Sequence, residues 1–326
     1  MAACPNQSAE DEFNILAFSA PPVGQFSIFV GVLLMYLMTI LGNVTIITLV
    51  YVAPKLHTPM YFFLSNLSLV DVTSTSSSIP KLLMITLTQD HKISFYGCLI
   101  QLSFFLLCAT GNTLILTSMA YDRYVAICKP LQYYQIMSKK LCALMAASSW
   151  LVGALNSLIL SSLISVILFC KSRDINNFFC DLNGMLSLST GDTKSWIVSI
   201  VFEDIVFGIT PFVLIMTSYV FIISNILKIH SRDGRLKSFS TCISHLITVI
   251  LMYVPSVFLY FKEESEHTKE QDTLLSMMYL VVVPMLNPLV YSLRNKDIWE
   301  ALSAVNISRR HFLVIKVEVQ ARTNQT

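Results

Sequence analysis

Charge is what this 326-residue sequence has least of. Asp, Glu, Lys and Arg make up 13 % of it, about half of the ~25 % usual in a soluble domain. The length alone would suit two soluble domains, but so little charge cannot clothe a water-solvated surface. A net charge of +2 leaves no basic face for nucleic acid. Eight cysteines are too few for a disulfide-dense secreted scaffold. Intrinsic disorder is excluded by the shortage of charge joined to an excess of aliphatics. H-E-x-x-H, a nucleophile elbow and a phosphate loop are all missing, so nothing points to an enzyme. Cys and His lack metal-ligand spacing, so neither a metal nor a cofactor is expected.

What is present is apolar: 54 % of residues, with a mean hydropathy of +0.65. A transmembrane helix needs about 20 mostly apolar residues. Seven stretches qualify. The first lies in Phe13–Pro54, with its apolar heart at Phe26–Val52. The others are Met60–Ile79, Cys98–Tyr121, Leu141–Phe169, Trp196–Leu227, Phe239–Phe261 and Thr273–Leu293. Lipid offers backbone groups no partners, so each span should be a helix. The expected fold is an all-α membrane protein, a seven-transmembrane helix bundle.

Orientation follows from Lys and Arg. With the N-terminus outside, 15 of the 22 basic residues fall on the inner side and 7 on the outer. This favours N-terminus outside and C-terminus inside. The expected layout is an outer tail over 1–25, the bundle over 26–296, and an inner amphipathic helix and tail over 297–326. Acids open the chain at Glu10, Asp11 and Glu12, so no cleavable leader is expected. Asn6-Gln7-Ser8 is a glycosylation sequon in the outer tail.

Polar residues at membrane depth are functional candidates by default. Asp71 is the clearest, with Asn43, Asn287 and Tyr291 beside it in kind. Interhelical glue is the plain alternative. Pro211, Pro255 and Pro288 each remove a backbone hydrogen bond and should kink the fifth, sixth and seventh spans. Asp122-Arg123-Tyr124 closes the third span at its inner face.

The string Met119-Ala120-Tyr121-Asp122-Arg123-Tyr124-Val125-Ala126-Ile127-Cys128, followed by Lys129-Pro130-Leu131, resembles the odorant-receptor branch of the rhodopsin-like G-protein-coupled receptors. Gly42-Asn43, Leu56–Ser65, Lys237–Leu246 and Pro284–Lys296 agree with it, in the right order. The resemblance implies a plasma-membrane receptor for a small organic odorant. It implies coupling to a stimulatory, olfactory-type G protein and a rise in cyclic AMP. It pairs Cys98 with Cys180, on an outer side that permits disulfides. The family's second loop pair has only Cys170 here, with Thr190 at the other position.

Ligand sites lie between the helices of bundles and are mostly apolar with few polar groups. Phe105, Leu106, Ala109 and Thr110 share one helical face and match the family's pocket face. Phe207 and Glu203 from the fifth span join them, with Tyr253, Ser256 and Tyr260 from the sixth. Glu203 and Asp204 depart from the family pattern. Glu203 either faces the pocket and favours a cationic or hydrogen-bond-donating ligand, or reaches water at the outer interface. Arg123 is expected to lean on Asp122 at rest and to swing toward the G protein and Tyr219 when active. The basic inner loops face anionic lipid as well as the G protein. Ile298, Trp299, Leu302 and Val305 are expected on one side of an amphipathic helix along the membrane.

A retinal-binding opsin needs a Lys in the seventh span, and Thr273–Leu293 has none. A transporter predicts an internal repeat or a polar stripe through several spans, and neither is present. A related receptor for an amine or other non-odorant ligand stays open because of Glu203.

Overall fold

A computed structural model describes residues 12–18, 21–167, 169, 173–189, 194–260, 268–293 and 295–304. It is a bundle of long helices: α1 (Pro22–Val52), α2 (Pro59–Thr88), α3 (Phe95–Cys128) and α4 (Lys139–Ser165). Next, α5 joins Lys194–Glu203, a π-helical segment Asp204–Ile209, and Thr210–Leu227. Then α6 spans Arg232–Tyr260. Last of the long helices, α7 joins Thr268–Met277, a π-helical segment Met278–Val282, and Val283–Leu293. A short helix, α8, follows over residues 296–304.

Local chemistry sets the boundaries. Pro59 occupies the first turn of α2, where its missing N–H costs nothing. Ser94 caps α3 by accepting from the Gly97 N–H at 3.1 Å, and Ser138 caps α4 through the Leu141 N–H at 3.3 Å. Such caps satisfy donors that a helix start leaves unpaired.

Among the described residues, six helices are long and apolar enough to cross a membrane. The seventh, α2, has the length at 30 residues but carries Asp71 and the run Thr73-Ser74-Thr75-Ser76-Ser77-Ser78. Asp71, Ser74, Thr75 and Ser78 are buried, so this polar face turns to neighbouring helices. Against the sequence expectation, α2 also runs on to Thr88 through an internal proline, Pro80.

A second departure lies before α1. Phe13 belongs to a strand, β1 (Glu12–Ile15), and not to the first span. It pairs antiparallel with β2 (Lys92–Ser94) and parallel with β3 (Asp174–Ile175). Glu12 and Lys92 add an ion pair at 2.8 Å. The small sheet marks one end of the bundle, the sheet end; Asp122-Arg123-Tyr124 marks the other. At the sheet end Cys98 and Cys180 are bonded, linking the start of α3 to the segment after β3.

At the opposite end, α8 is held by ions and by packing. Lys55, between α1 and α2, reaches Asp297 at 2.8 Å and Glu300 at 2.5 Å. Ile298 and Ala301 are buried and Leu302 packs against the core. Trp299 is exposed, so it does not share their face as expected; one position from Ile298, it sits about 100° round the helix. Val305 lies outside the described residues.

Two glycines allow close helix approach. A Cβ on Gly153 of α4 would stand 2.7 Å from the Leu107 carbonyl oxygen of α3. On Gly42 of α1 it would stand 3.1 Å from the Pro288 ring of α7.

Candidate functional site

At the Asp122-Arg123-Tyr124 end, Asp122 is fully buried. Arg123 Nε donates to Asp122 Oδ2 at 2.9 Å, and its Nη2 makes a second, shorter bond to the same oxygen. Tyr133, from the segment between α3 and α4, donates to Asp122 Oδ1 at 2.7 Å. Burial and then the neighbouring Asp122 carboxylate push the Tyr133 phenol upward, so it stays a donor. Asp122 therefore has donors on both oxygens, which holds Arg123 along its own helix. Tyr124 meets Phe221 of α5 edge to face at 6.1 Å.

One turn deeper, a histidine ties three helices. His245 of α6 is fully buried. Its Nε2 lies 3.0 Å from the Leu116 carbonyl of α3 and its Nδ1 lies 2.8 Å from the Tyr219 hydroxyl of α5. The Tyr219 hydroxyl also lies 3.2 Å from the Cys242 carbonyl, and its single hydrogen is shared between that carbonyl and His245. So α6 is fastened to α3 and α5 near the end that holds Arg123.

The middle of the bundle holds the polar cluster. Asn287 donates to Asp71 Oδ2 at 2.8 Å, joining α7 to α2. Asn43 donates to the Pro284 carbonyl at 3.0 Å, joining α1 to α7 four residues before Pro288. Tyr291, one turn after Asn287, is buried. Asn43, Asn112 and Asn287 each keep a buried side-chain oxygen with no protein donor.

Toward the sheet end the lining becomes aromatic. Phe105 of α3 packs at 5.0 Å from Phe179 and 6.1 Å from Tyr279. Phe179 directly precedes Cys180, so the disulfide holds this ring against α3. Leu106 is buried with Leu102, Leu160 and Ile164, while Ala109 is only partly buried. Asn156 of α4 donates to Thr110 Oγ1 at 3.0 Å and to Glu203 Oε1 at 3.0 Å. Glu203 thus points to its neighbours α3 and α4, immediately before the π-helical segment of α5. Phe207 lies within that segment, partly buried. Tyr253 of α6 donates to the Gly208 carbonyl of the same segment at 3.4 Å and packs 4.9 Å from Phe212. Ser256 bonds back to its own helix at Met252. Both π-helical segments flank this region, and such turns recur at functional sites.

The sequence of this chain matches the family model described as olfactory receptor over residues 32–309. The chain belongs to the olfactory receptor family. Olfactory receptor 1F1 of Homo sapiens is 44 % identical over 300 residues, 92 % of this chain and 96 % of that protein. Olfactory receptor 2B6 of Mus musculus is 42 % identical over 308 residues, 94 % of this chain and 98 % of that protein. Olfactory receptor 1f45 of Rattus norvegicus is 44 % identical over 300 residues. This olfactory receptor is accordingly a multi-pass membrane protein of a G-protein-coupled, non-enzymatic family. In general terms such a family takes small-molecule ligands and couples to G proteins.

Within this olfactory receptor, the expected residues fall into separate layers. Asp122 and Arg123 meet directly; Tyr219 bonds within the α5–α6 contact; Asp71 and Asn287 meet in the middle. Thr110 and Glu203 meet through Asn156, Phe105 packs on Phe179, and Tyr253 bonds Gly208, as three separate contacts. Asn6 and Cys170 lie outside the described residues, as does the side chain of Tyr260. Sequence reasoning missed Tyr133, Asn156, Phe179, Tyr279 and the role of His245. Asn156 and His245 carried a legible signal, being polar groups inside apolar spans. Tyr133 and Phe179 sit in connecting segments whose docking no local pattern encodes.

Proposed function

We propose that this chain is an odorant receptor that binds a small organic ligand at the sheet end and activates a stimulatory, olfactory-type G protein, raising cyclic AMP. The N-terminus and the sheet lie outside the cell and α8 lies inside. Residues 1–25 form the outer tail, 26–296 the receptor bundle, and 297–326 the inner helix and tail. One observation carries the reading: α6 is fastened near both ends. Tyr253 bonds Gly208 beside the aromatic and polar lining, and His245 bonds Leu116 and Tyr219 near Arg123. A ligand can shift such a helix only by binding one of its positions better than the other. Contact with the Gly208–Tyr253 region supplies that difference. Release of the His245 and Tyr219 bonds then frees the inner end of α6. Arg123 exchanges Asp122 for Tyr219 and the G protein.

The test is a cyclic AMP reporter in cells carrying this chain and a stimulatory G protein, exposed to a chemically broad odorant panel. A ligand-dependent rise that Arg123→Ala abolishes is expected. Solute uptake or current in vesicles holding only this chain, or both termini on one face of the cell, would overturn the reading.

A further inference from the structure

The contact between α3, α4 and α5 at the sheet end has too many acceptors. Asn156 spends its amide hydrogens on Thr110 Oγ1 and Glu203 Oε1. That leaves Asn156 Oδ1 and Glu203 Oε2 with acceptor capacity. An ionised carboxylate has no hydrogen to give. The four ion pairs among the described residues involve Lys55, Lys92 and Arg123, so among those residues no cation pairs with Glu203. Glu203 is partly buried between the helices with one neutral amide partner, and an ammonium group is the complement its carboxylate lacks. A few residues away along α3, Phe105 with Phe179 and Tyr279 forms an aromatic wall.

We propose that the Asn156–Glu203 pair makes this receptor select small primary amines with an apolar body. The proposal rests on the reading of the sheet end as the ligand site. The ammonium group brings three donors and a positive charge. One N–H goes to Glu203 Oε2 as a charge-assisted bond, and a second to Asn156 Oδ1. The apolar body lies against Phe105, Phe179 and Tyr279. Asn156 therefore has two roles: it contacts the ammonium itself, and it holds the carboxylate toward α3. A carboxylic acid of the same skeleton is rejected, because two like charges would meet in a desolvated site. The alcohol fits but brings a single hydrogen and no charge.

The experiment uses the full chain and primary amines from propylamine to 2-phenylethylamine, each with the alcohol and acid of the same skeleton. Two readouts run in parallel: thermal stabilisation of the purified receptor and cyclic AMP in cells. At least one amine is expected to act at about tenfold lower concentration than its alcohol, with its acid weakest. Glu203→Gln should raise the concentration of amine required about tenfold and leave the alcohol within about threefold. Asn156→Leu should weaken the amine more than the alcohol. Acids outranking amines, or an equal shift of amine and alcohol in Glu203→Gln, overturns the proposal, as does a panel in which no amine stabilises or activates. Amines that stabilise without raising cyclic AMP leave the site assignment standing and refute the signalling reading. Alcohols that raise cyclic AMP while amines do nothing do the reverse.

Discussion

Gly153 offers a sharp test of how α3 and α4 meet. A methyl group there would lie 2.7 Å from the Leu107 carbonyl oxygen and 3.4 Å from the Gly111 backbone nitrogen. Both neighbours are helix backbone, so neither can rotate aside; the helices themselves must separate. Relieving that overlap costs about 1–3 kcal/mol, the usual range for overpacking a tight contact. Alanine returns roughly 0.5–1 kcal/mol through its better helix propensity. The net expectation for Gly153→Ala is a loss of roughly 0–2.5 kcal/mol, and more for Gly153→Val. Two other glycines calibrate the result. Gly31 has nothing within 4 Å of a built Cβ, and Gly42 meets only the Pro288 ring at 3.1 Å, a side chain that can yield slightly. The assay is thermal unfolding of the purified full chain, with cell-surface abundance as a second measure. Gly31→Ala should match or exceed the parent, Gly42→Ala should fall close to it, and Gly153→Ala should melt several degrees lower. A Gly153→Ala protein as stable as Gly31→Ala would refute the close α3–α4 approach. The Thr110–Asn156–Glu203 chain crosses the same contact.

Tyr133→Phe removes one of the donors holding Asp122, about 1.5–3 kcal/mol for a bond to a charged group. Ligand-free cyclic AMP should rise severalfold, and an unchanged baseline would show that the bond does not restrain Arg123. His245→Phe deletes the bonds from α6 to Leu116 and Tyr219. Basal signalling should change by more than it does for Ser256→Ala, whose hydroxyl bonds only its own helix. Cys180→Ser frees the segment that presses Phe179 onto Phe105. Loss of a native disulfide costs about 2–5 kcal/mol, so surface expression should drop sharply, and normal expression with normal ligand potency would show that the bridge is dispensable.

Much of the architecture is readable along the chain. Long uncharged runs announce helices in lipid without regard to partners, and the helix ends differ from expectation mostly by a turn or two. The exceptions are instructive. Phe13 reads as the start of an apolar stretch, yet its partners in the sheet, around Ile93 and Asp174, come from distant segments. The Ser and Thr run of α2 lowers its apolar character below that of the other spans, but burial against neighbouring helices accommodates it. Glu203 could be read from sequence only as a carboxylate near the end of a span, with pocket and water as alternatives. Its bond to Asn156 turns it toward α3 and α4, and that bond depends on how α4 packs.

Composition and hydropathy by themselves determined that the chain lives in a bilayer as a bundle, because burying a backbone in lipid allows few alternatives. The family motifs identified the family. Only the tertiary structure decided which polar groups meet. Tyr133 reaching Asp122, His245 fastening three helices and Asn156 aiming Glu203 are all contacts between residues on different segments. Each depends on helix rotation and crossing, set by the summed packing of many side chains and by local devices such as Gly153 and the π-helical turns. No short stretch of sequence contains that sum.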